Sequence, residues 1–316
     1  MFLNTKLKEI VPHNKQVVSY SGTFSDRLNI IYYLDSFCNY SCTYCAWYTN
    51  LKSPIDTLQT QKDIIQALFD NTKSKANLFI YGGEPTLYKS FELLIQFIFE
   101  RRPDNFTVEL QSNGSRGLSY FSEHLLKYDD LMYSLSYHHS QITNPGQTDR
   151  FFELTNHLHL AGKLIRVDYM CEEENVEEQI EILNSLKKTK WAHKILLTYG
   201  YYDLKNAESF KLDNSKEFSE INVDFQLQEM YNVNSIEYNT SDLFHSDFTF
   251  KGMRCDAGKK MIIIDWRGDY STCTSAWLNS DKYNILENPK IYRLLTSTSK
   301  VCGYNKCNGD FWVSKW

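Results

Sequence analysis

Six short apolar runs recur along the chain with amphipathic segments between them, and this alternation narrows the possible folds more than any other feature. The runs are 28–34 (LNIIYYL), 77–81 (NLFIY), 106–111 (FTVELQ), 131–137 (LMYSLSY), 164–170 (LIRVDYM) and 194–199 (KILLTY). All are short enough to be strands. Helical patterns, with apolar residues at i, i+3 and i+4, lie near 58–71, 90–102, 119–128, 149–161 and 176–188. Strands alternating with helices predict an α/β fold, a parallel sheet carrying helices outside it as a partial or complete barrel. Chemistry in such sheets collects at the C-terminal strand ends. A chain of 316 residues accommodates one such domain with a smaller appendage.

The motifs fall on those ends. The first strand runs into "DSFCNYSCTYCAW", which spaces Cys38, Cys42 and Cys45 as C-x3-C-x2-C; the second runs into "YGGEPTLY", the third into "QSNGS", and the fourth carries "SLSYHH". Iron–sulfur clusters are held by thiolates, and a four-iron cubane normally takes four. Three would leave one iron open. Structural zinc needs four closed ligands, and no further Cys or His lies between His13 and His124 to complete such a set with these three.

The cysteine spacing after the first strand, with GGEP after the second, resembles the radical S-adenosylmethionine (radical SAM) family over roughly residues 28 to 200. The resemblance implies a partial (β/α)6 barrel in which Cys38, Cys42 and Cys45 hold a 4Fe-4S cluster whose open iron is chelated by S-adenosylmethionine. Tyr44 occupies the aromatic position that contacts adenine, and Gly82, Gly83 and Glu84, followed by Pro85, meet the methionine amino group. Two glycines permit close backbone approach, and exposed carbonyls with a carboxylate suit an ammonium. Ser112, Asn113, Ser134 and Ser136 stand where ribose and carboxylate contacts are expected. The implied reaction is reductive cleavage of S-adenosylmethionine to a 5′-deoxyadenosyl radical that takes a hydrogen atom from a substrate.

A second cysteine group follows residue 250. Cys255 and Cys273 flank "MIIIDWRGDY", which reads as a hairpin turning at "WRGD" and bringing them together, while Cys302 and Cys307 follow a short helix-like segment at 288–296. This C-x12-G-x4-C hairpin resembles the twitch form of the SPASM extension of radical SAM enzymes, a small β-hairpin/helix domain with one auxiliary 4Fe-4S cluster held by the four cysteines. Four ligands leave no open iron, which favours electron transfer or a structural role. A four-cysteine zinc ribbon on the same hairpin is the competing reading.

Other polar residues carry paired readings. His138 or His139 serves as a base or substrate contact facing the cavity, or the two are merely hydrogen-bonded. Cys171 is a small buried residue, or a hydrogen-atom donor on the rim. Arg150 and Arg166 suit bidentate carboxylate binding; a surface ion pair serves Arg150 equally. The acidic run at 171–181 reads as a charged helix start.

The expected organisation is an N-terminal segment 1–27, the barrel at about 28–205, a connector 206–249 and the auxiliary domain at about 250–316. "MFLNTKLKEIVPHNKQ" has no apolar signal region and no run reaches the ~18 residues of a membrane span. A cytoplasmic, monomeric protein is expected, with its eight cysteines reduced or metal-bound. A net charge of −5 argues against a general nucleic-acid surface. Expected partners are a flavodoxin- or ferredoxin-type electron donor and a small-molecule or peptide substrate. Only 27 residues precede the first strand, fewer than the ~50 of a leader-recognition domain, and the end "FWVSKW" lacks the Gly-Gly tail expected of a molybdenum-cofactor cyclase. A peptide (RiPP-type) maturase and a non-catalytic iron–sulfur or zinc scaffold are the alternatives.

Overall fold

Side chains on the strands alternate between two environments, and the fold follows from satisfying both. In a computed structural model of the chain, the described residues are 17–18, 27–42, 45, 58–142, 144–172, 175–199, 251–252, 254–273, 276–277, 279–297, 300–303 and 314–315. The order is β1 (Leu28–Tyr33), α1 (Leu58–Asn71), β2 (Ala76–Tyr81), α2 (Phe91–Arg101), β3 (Phe106–Ser112), α3 (Gly117–Tyr120), β4 (Leu131–His138), α4 (Pro145–Leu160), β5 (Leu164–Cys171), α5 (Val176–Leu186) and β6 (Ile195–Tyr199). Then come β7 (Met261–Asp265), β8 (Asp269–Ser271), β9 (Tyr283–Asn284) and α6 (Pro289–Leu295). The proposed connector at 206–249 lies outside the described residues, as does most of 1–27.

Strands β1 to β6 pair in parallel in chain order, forming with their helices a partial barrel. The C-terminal hairpin does not stand apart from this sheet. Strand β7 pairs in parallel with the free side of β1, placing Asp265 opposite Tyr33, and β8 and β9 extend the edge antiparallel, giving nine strands in all. A separate small sheet joins Arg254–Cys255 to Lys300–Val301 and Ser314–Lys315.

One sheet face packs on helices. Leu28, Ile30 and Tyr32 of β1, Leu78 and Ile80 of β2, Val108 and Leu110 of β3, and Ile262 and Ile264 of β7 meet Ile64, Leu68, Leu94 and Ile98 of α1 and α2. Each such aliphatic side chain contributes about 1.5–3 kcal/mol on full burial. The opposite, inner face receives the alternate residues, Ile31, Tyr33 and Phe79 among them.

Two helices depart from the sequence pattern. The segment expected at 119–128 is one α-turn, Gly117–Tyr120, running into a π-turn at Phe121–Leu125, closed by Leu126 N–H on the Phe121 carbonyl at 2.9 Å. The wider turn keeps Tyr120, Phe121 and Leu125 all against the core. Helix α4 begins at Pro145 rather than 149, because Asn144 Oδ1 accepts from Gln147 N–H at 3.2 Å and proline fits the first helical position.

Candidate functional site: the rim at the strand ends

Three loops meet where β1, β2 and β3 end. Past the ladder, Leu34 N–H donates to Tyr81 O (2.8 Å), Gly83 N–H to Asp35 O (2.7 Å) and Glu84 N–H to Phe37 O (2.8 Å), so the GGEP turn runs alongside the backbone entering the cysteine loop. Glycine is required there by the chain itself. A Cβ on Gly82, whose φ is +149°, would lie 2.5 Å from Asp35 O, and one on Gly83 would lie 2.1 Å from Phe37 O.

Glu84 binds the third loop. Its Oε1 accepts from Thr86 N–H (3.1 Å), the Thr86 hydroxyl (2.6 Å) and the Ser112 hydroxyl (2.9 Å), and its Oε2 from Asn113 N–H (2.6 Å). Burial pushes its carboxyl above the usual range, while these four bonds favour the ionised form and oppose the shift. Pro85 opens the short 3-10 turn that carries Thr86. Asn113 then reaches back, its Nδ2 lying 3.0 Å from Asn39 Oδ1 and 3.9 Å from Cys38 Sγ. Glu84, Ser112 and Asn113, expected as ligand contacts, thus also hold the loops of the rim to one another.

Among the described residues, no group of three or more His, Cys, Asp or Glu side chains is gathered closely enough to hold a metal ion. The donor chemistry of the rim nonetheless fits an iron–sulfur group. Cys38 Sγ accepts from Tyr40 N–H at 3.4 Å, and Cys42 Sγ lies 3.5 Å from His138 Nδ1. A backbone N–H directed at a sulfur, as at Cys38, suits a thiolate ligand. Cys45 N–H bonds to Cys42 O at 3.1 Å, keeping the loop tight. Burial raises the Cys38 thiol above its ordinary pKa, against the Tyr40 N–H, and Glu84 adds to the rise. A metal cation inverts that balance by deprotonating the thiol. Tyr44 lies outside the described residues.

The inner face of β2 to β5 carries a buried polar network. Glu109 accepts from Asn77 Nδ2 (3.0 Å) and from the Ser134 hydroxyl, and Arg166 Nη1 stands 3.8 Å from Glu109 Oε1. Arg166 Nε donates to both oxygens of Asp168, at 2.9 and 3.1 Å, and Gln111 Nε2 donates to Asp168 Oδ2 (3.0 Å) and to Ser136 Oγ. The guanidinium also lies over the Phe79 ring, 5.5 Å from its centroid. Arg166, read from sequence as a carboxylate clamp, therefore already binds two carboxylates of its own chain. Glu109, Gln111 and Asp168 were not singled out in the sequence. Their signal was period-two polarity inside apolar strands: Thr107, Glu109 and Gln111 alternate with Phe106, Val108 and Leu110.

The remaining candidates separate. His138 turns inward to Cys42, its ring edge-on to Tyr40 at 5.7 Å, and the enclosing protein lowers its pKa to about 4, leaving it neutral. His139 turns the other way, 3.4 Å from the Glu178 carboxylate on α5. Cys171 is buried among the helix-facing residues, with Tyr169 and Val167 of its own strand, and burial raises its thiol pKa. That direction is away from the inner face, and a rim hydrogen-atom donor does not fit the observed position. Arg150 is exposed and bonds the Gly146 carbonyl of its own helix, which fits the surface reading rather than a clamp.

Cys255, Cys273 and Cys302 are buried in one apolar cluster with Met261, Ile263, Trp266 and Trp277 and with Ile31, Tyr33 and Phe79 of the inner face. Cys255 Sγ accepts from Ala257 N–H and Cys273 Sγ from Ala276 N–H, both at 3.4 Å. This donor set too suits thiolate ligation. Cys307 lies outside the described residues.

Among solved structures the chain is similar to SuiB of Streptococcus suis bound to S-adenosylmethionine, with 18% identity and a TM-score of 0.59 over 86% of this chain and 68% of that one. SuiB bound to its precursor peptide SuiA matches at 18% identity and TM-score 0.56, over 85% and 65%. The protein anSMEcpe, with bound AdoMet and the Kp18Cys peptide, matches at 17% identity and TM-score 0.60, over 86% and 81%. At these identities the likeness is one of fold, and the chain spans about two thirds of SuiB. No curated protein sequence matches. The family model of the radical SAM superfamily matches residues 32–203, more than half of the chain. The cysteine loop, the GGEP turn and the strand order that carries them all lie within or against that span, and the chain belongs to the radical SAM superfamily.

Proposed function

We propose that this protein is an S-adenosylmethionine-dependent radical enzyme acting on a peptide or small molecule as an oxidoreductase. The observation that carries this reading is the hydrogen-bonded convergence of three loops: Gly83 and Glu84 on the backbone of 35–37, and Ser112 and Asn113 on the Glu84 carboxylate. Cys38, Cys42 and Cys45 would hold a 4Fe-4S cluster, and the carbonyls of the GGEP turn, with Tyr44, would hold S-adenosylmethionine. When bound, the two supply a 5′-deoxyadenosyl radical able to take a hydrogen atom from substrate. The chain's own residues fix the backbone that enters the cysteine loop and place the His138 imidazole beside Cys42.

SuiB and anSMEcpe are both known with peptides bound, which favours a peptide substrate. Cys255, Cys273, Cys302 and Cys307 would hold an auxiliary cluster that accepts an electron from the substrate, in the twitch-like unit at about 250–316. No helix among the described residues is long and apolar enough to cross a membrane. In this reading the protein works as a cytoplasmic monomer fed by a flavodoxin or ferredoxin. The test is anaerobic reconstitution with iron and sulfide, then dithionite and S-adenosylmethionine. Release of 5′-deoxyadenosine is expected, and an iron-loaded protein that releases none is a scaffold.

A further inference from the structure

Of the polar side chains at the rim, His138 has a placement that the binding of S-adenosylmethionine does not account for. It closes β4 on the inner face, and its Nδ1 faces Cys42 Sγ at 3.5 Å. Tyr40 packs edge-on against the ring while its own N–H meets Cys38 Sγ, so one packed unit addresses two of the three sulfurs. The imidazole has two tautomers, and only the one protonated on Nδ1 makes an attractive contact with a thiolate.

We propose that His138 donates its Nδ1–H to the Cys42 thiolate and so sets the reduction potential of the rim cluster, as a positioning residue rather than a base for the substrate. This rests on Cys42 being a cluster ligand. A donor to a ligating sulfur stabilises the reduced cluster, which carries one more negative charge, and raises its potential. His139, the next residue, faces the other way toward Glu178, as side-chain alternation at the end of a strand requires.

The experiment uses the full chain, reconstituted anaerobically, as wild type, His138→Leu and His138→Asn. Leucine removes the donor at similar bulk, whereas asparagine carries an N–H at about the position of Nδ1. Readouts are iron content, an EPR-monitored redox titration of the signal that S-adenosylmethionine perturbs, and nitrogen hyperfine coupling to that signal in protein labelled with 15N-histidine. The wild type should show the coupling. His138→Leu should keep its iron, lose the coupling and titrate at a more negative potential, with His138→Asn returning most of the way to wild type. An unchanged midpoint in His138→Leu with iron retained overturns the proposal, as does absence of the coupling in wild type, a result available even if His138→Leu fails to fold. If the S-adenosylmethionine-perturbed signal survives in Cys42→Ala, the ligand reading itself is what fails.

Discussion

At Gly83 an added methyl group meets protein before it meets any ligand. Its Cβ would lie 2.1 Å from Phe37 O and 2.8 Å from the Ser36 carbonyl carbon, and neither can yield without moving the chain that enters Cys38. Gly83→Ala should therefore lower iron incorporation along with S-adenosylmethionine binding, at an overpacking cost of about 1–3 kcal/mol. A variant with full iron but weakened S-adenosylmethionine binding would put the glycine's role at the ligand instead. Glu84→Gln would set an amide N–H against one of four donors, at a cost of roughly 1–3 kcal/mol in stability, read as a lowered midpoint in urea. The sequence disclosed that the GGEP turn must be approached closely by something. It could not disclose that the approaching group is residues 35–37, because that contact joins segments 45 or more residues apart through a parallel ladder.

Arg166 makes a prediction with a pH signature. Burial raises the Glu109 carboxyl above its usual pKa, and Arg166 is the first influence opposing that rise. Arg166→Leu leaves Glu109 and Asp168 without their cation, at a cost of roughly 3–5 kcal/mol near neutral pH. With Arg166 gone the folded-state pKa of Glu109 climbs further above the unfolded value. Such a group binds its proton more tightly when folded, so the stability difference between variant and wild type should shrink as pH falls and widen as pH rises through the raised pKa. Denaturation midpoints at several pH values check this, and a pH-independent difference would contradict it.

At the scale of elements, the C-terminal hairpin completes the barrel's edge. Ile31, Tyr33 and Phe79 on the inner face are covered by Met261, Ile263, Trp266 and Ala276, and β7 satisfies the outer hydrogen bonds of β1. Truncation after residue 205 would bare a fully buried strand and an apolar face. The truncated chain should aggregate or lose its cooperative thermal transition, measured by light scattering and circular dichroism; a soluble fragment melting like the whole chain would show the hairpin to be an independent unit. The hairpin itself was legible in "MIIIDWRGDYSTC", through its apolar run and Gly-containing turn. Its partner was not, since β7 and β1 are separated by more than two hundred residues and parallel pairing leaves no local mark. Helix α1 is legible from its apolar spacing near 58–71, whereas the π-turn at Phe121–Leu125 is not, because a five-residue turn and an α-turn bury nearly the same apolar set.

In the whole molecule, iron content separates the roles of the two cysteine groups. The two proposed four-iron clusters would give about eight irons per chain, and a Cys38/Cys42/Cys45 triple alanine variant should then keep about four and remain brown. Zinc retained in their place would mark the C-terminal cysteines as a ribbon. The most direct test of the central claim is 5′-deoxyadenosine release under dithionite, compared between the wild type and a Cys42→Ala protein shown by circular dichroism to be folded. Release by the wild type and none by the variant is expected; equal release from both would contradict Cys42 as a ligand of the cluster that cleaves S-adenosylmethionine.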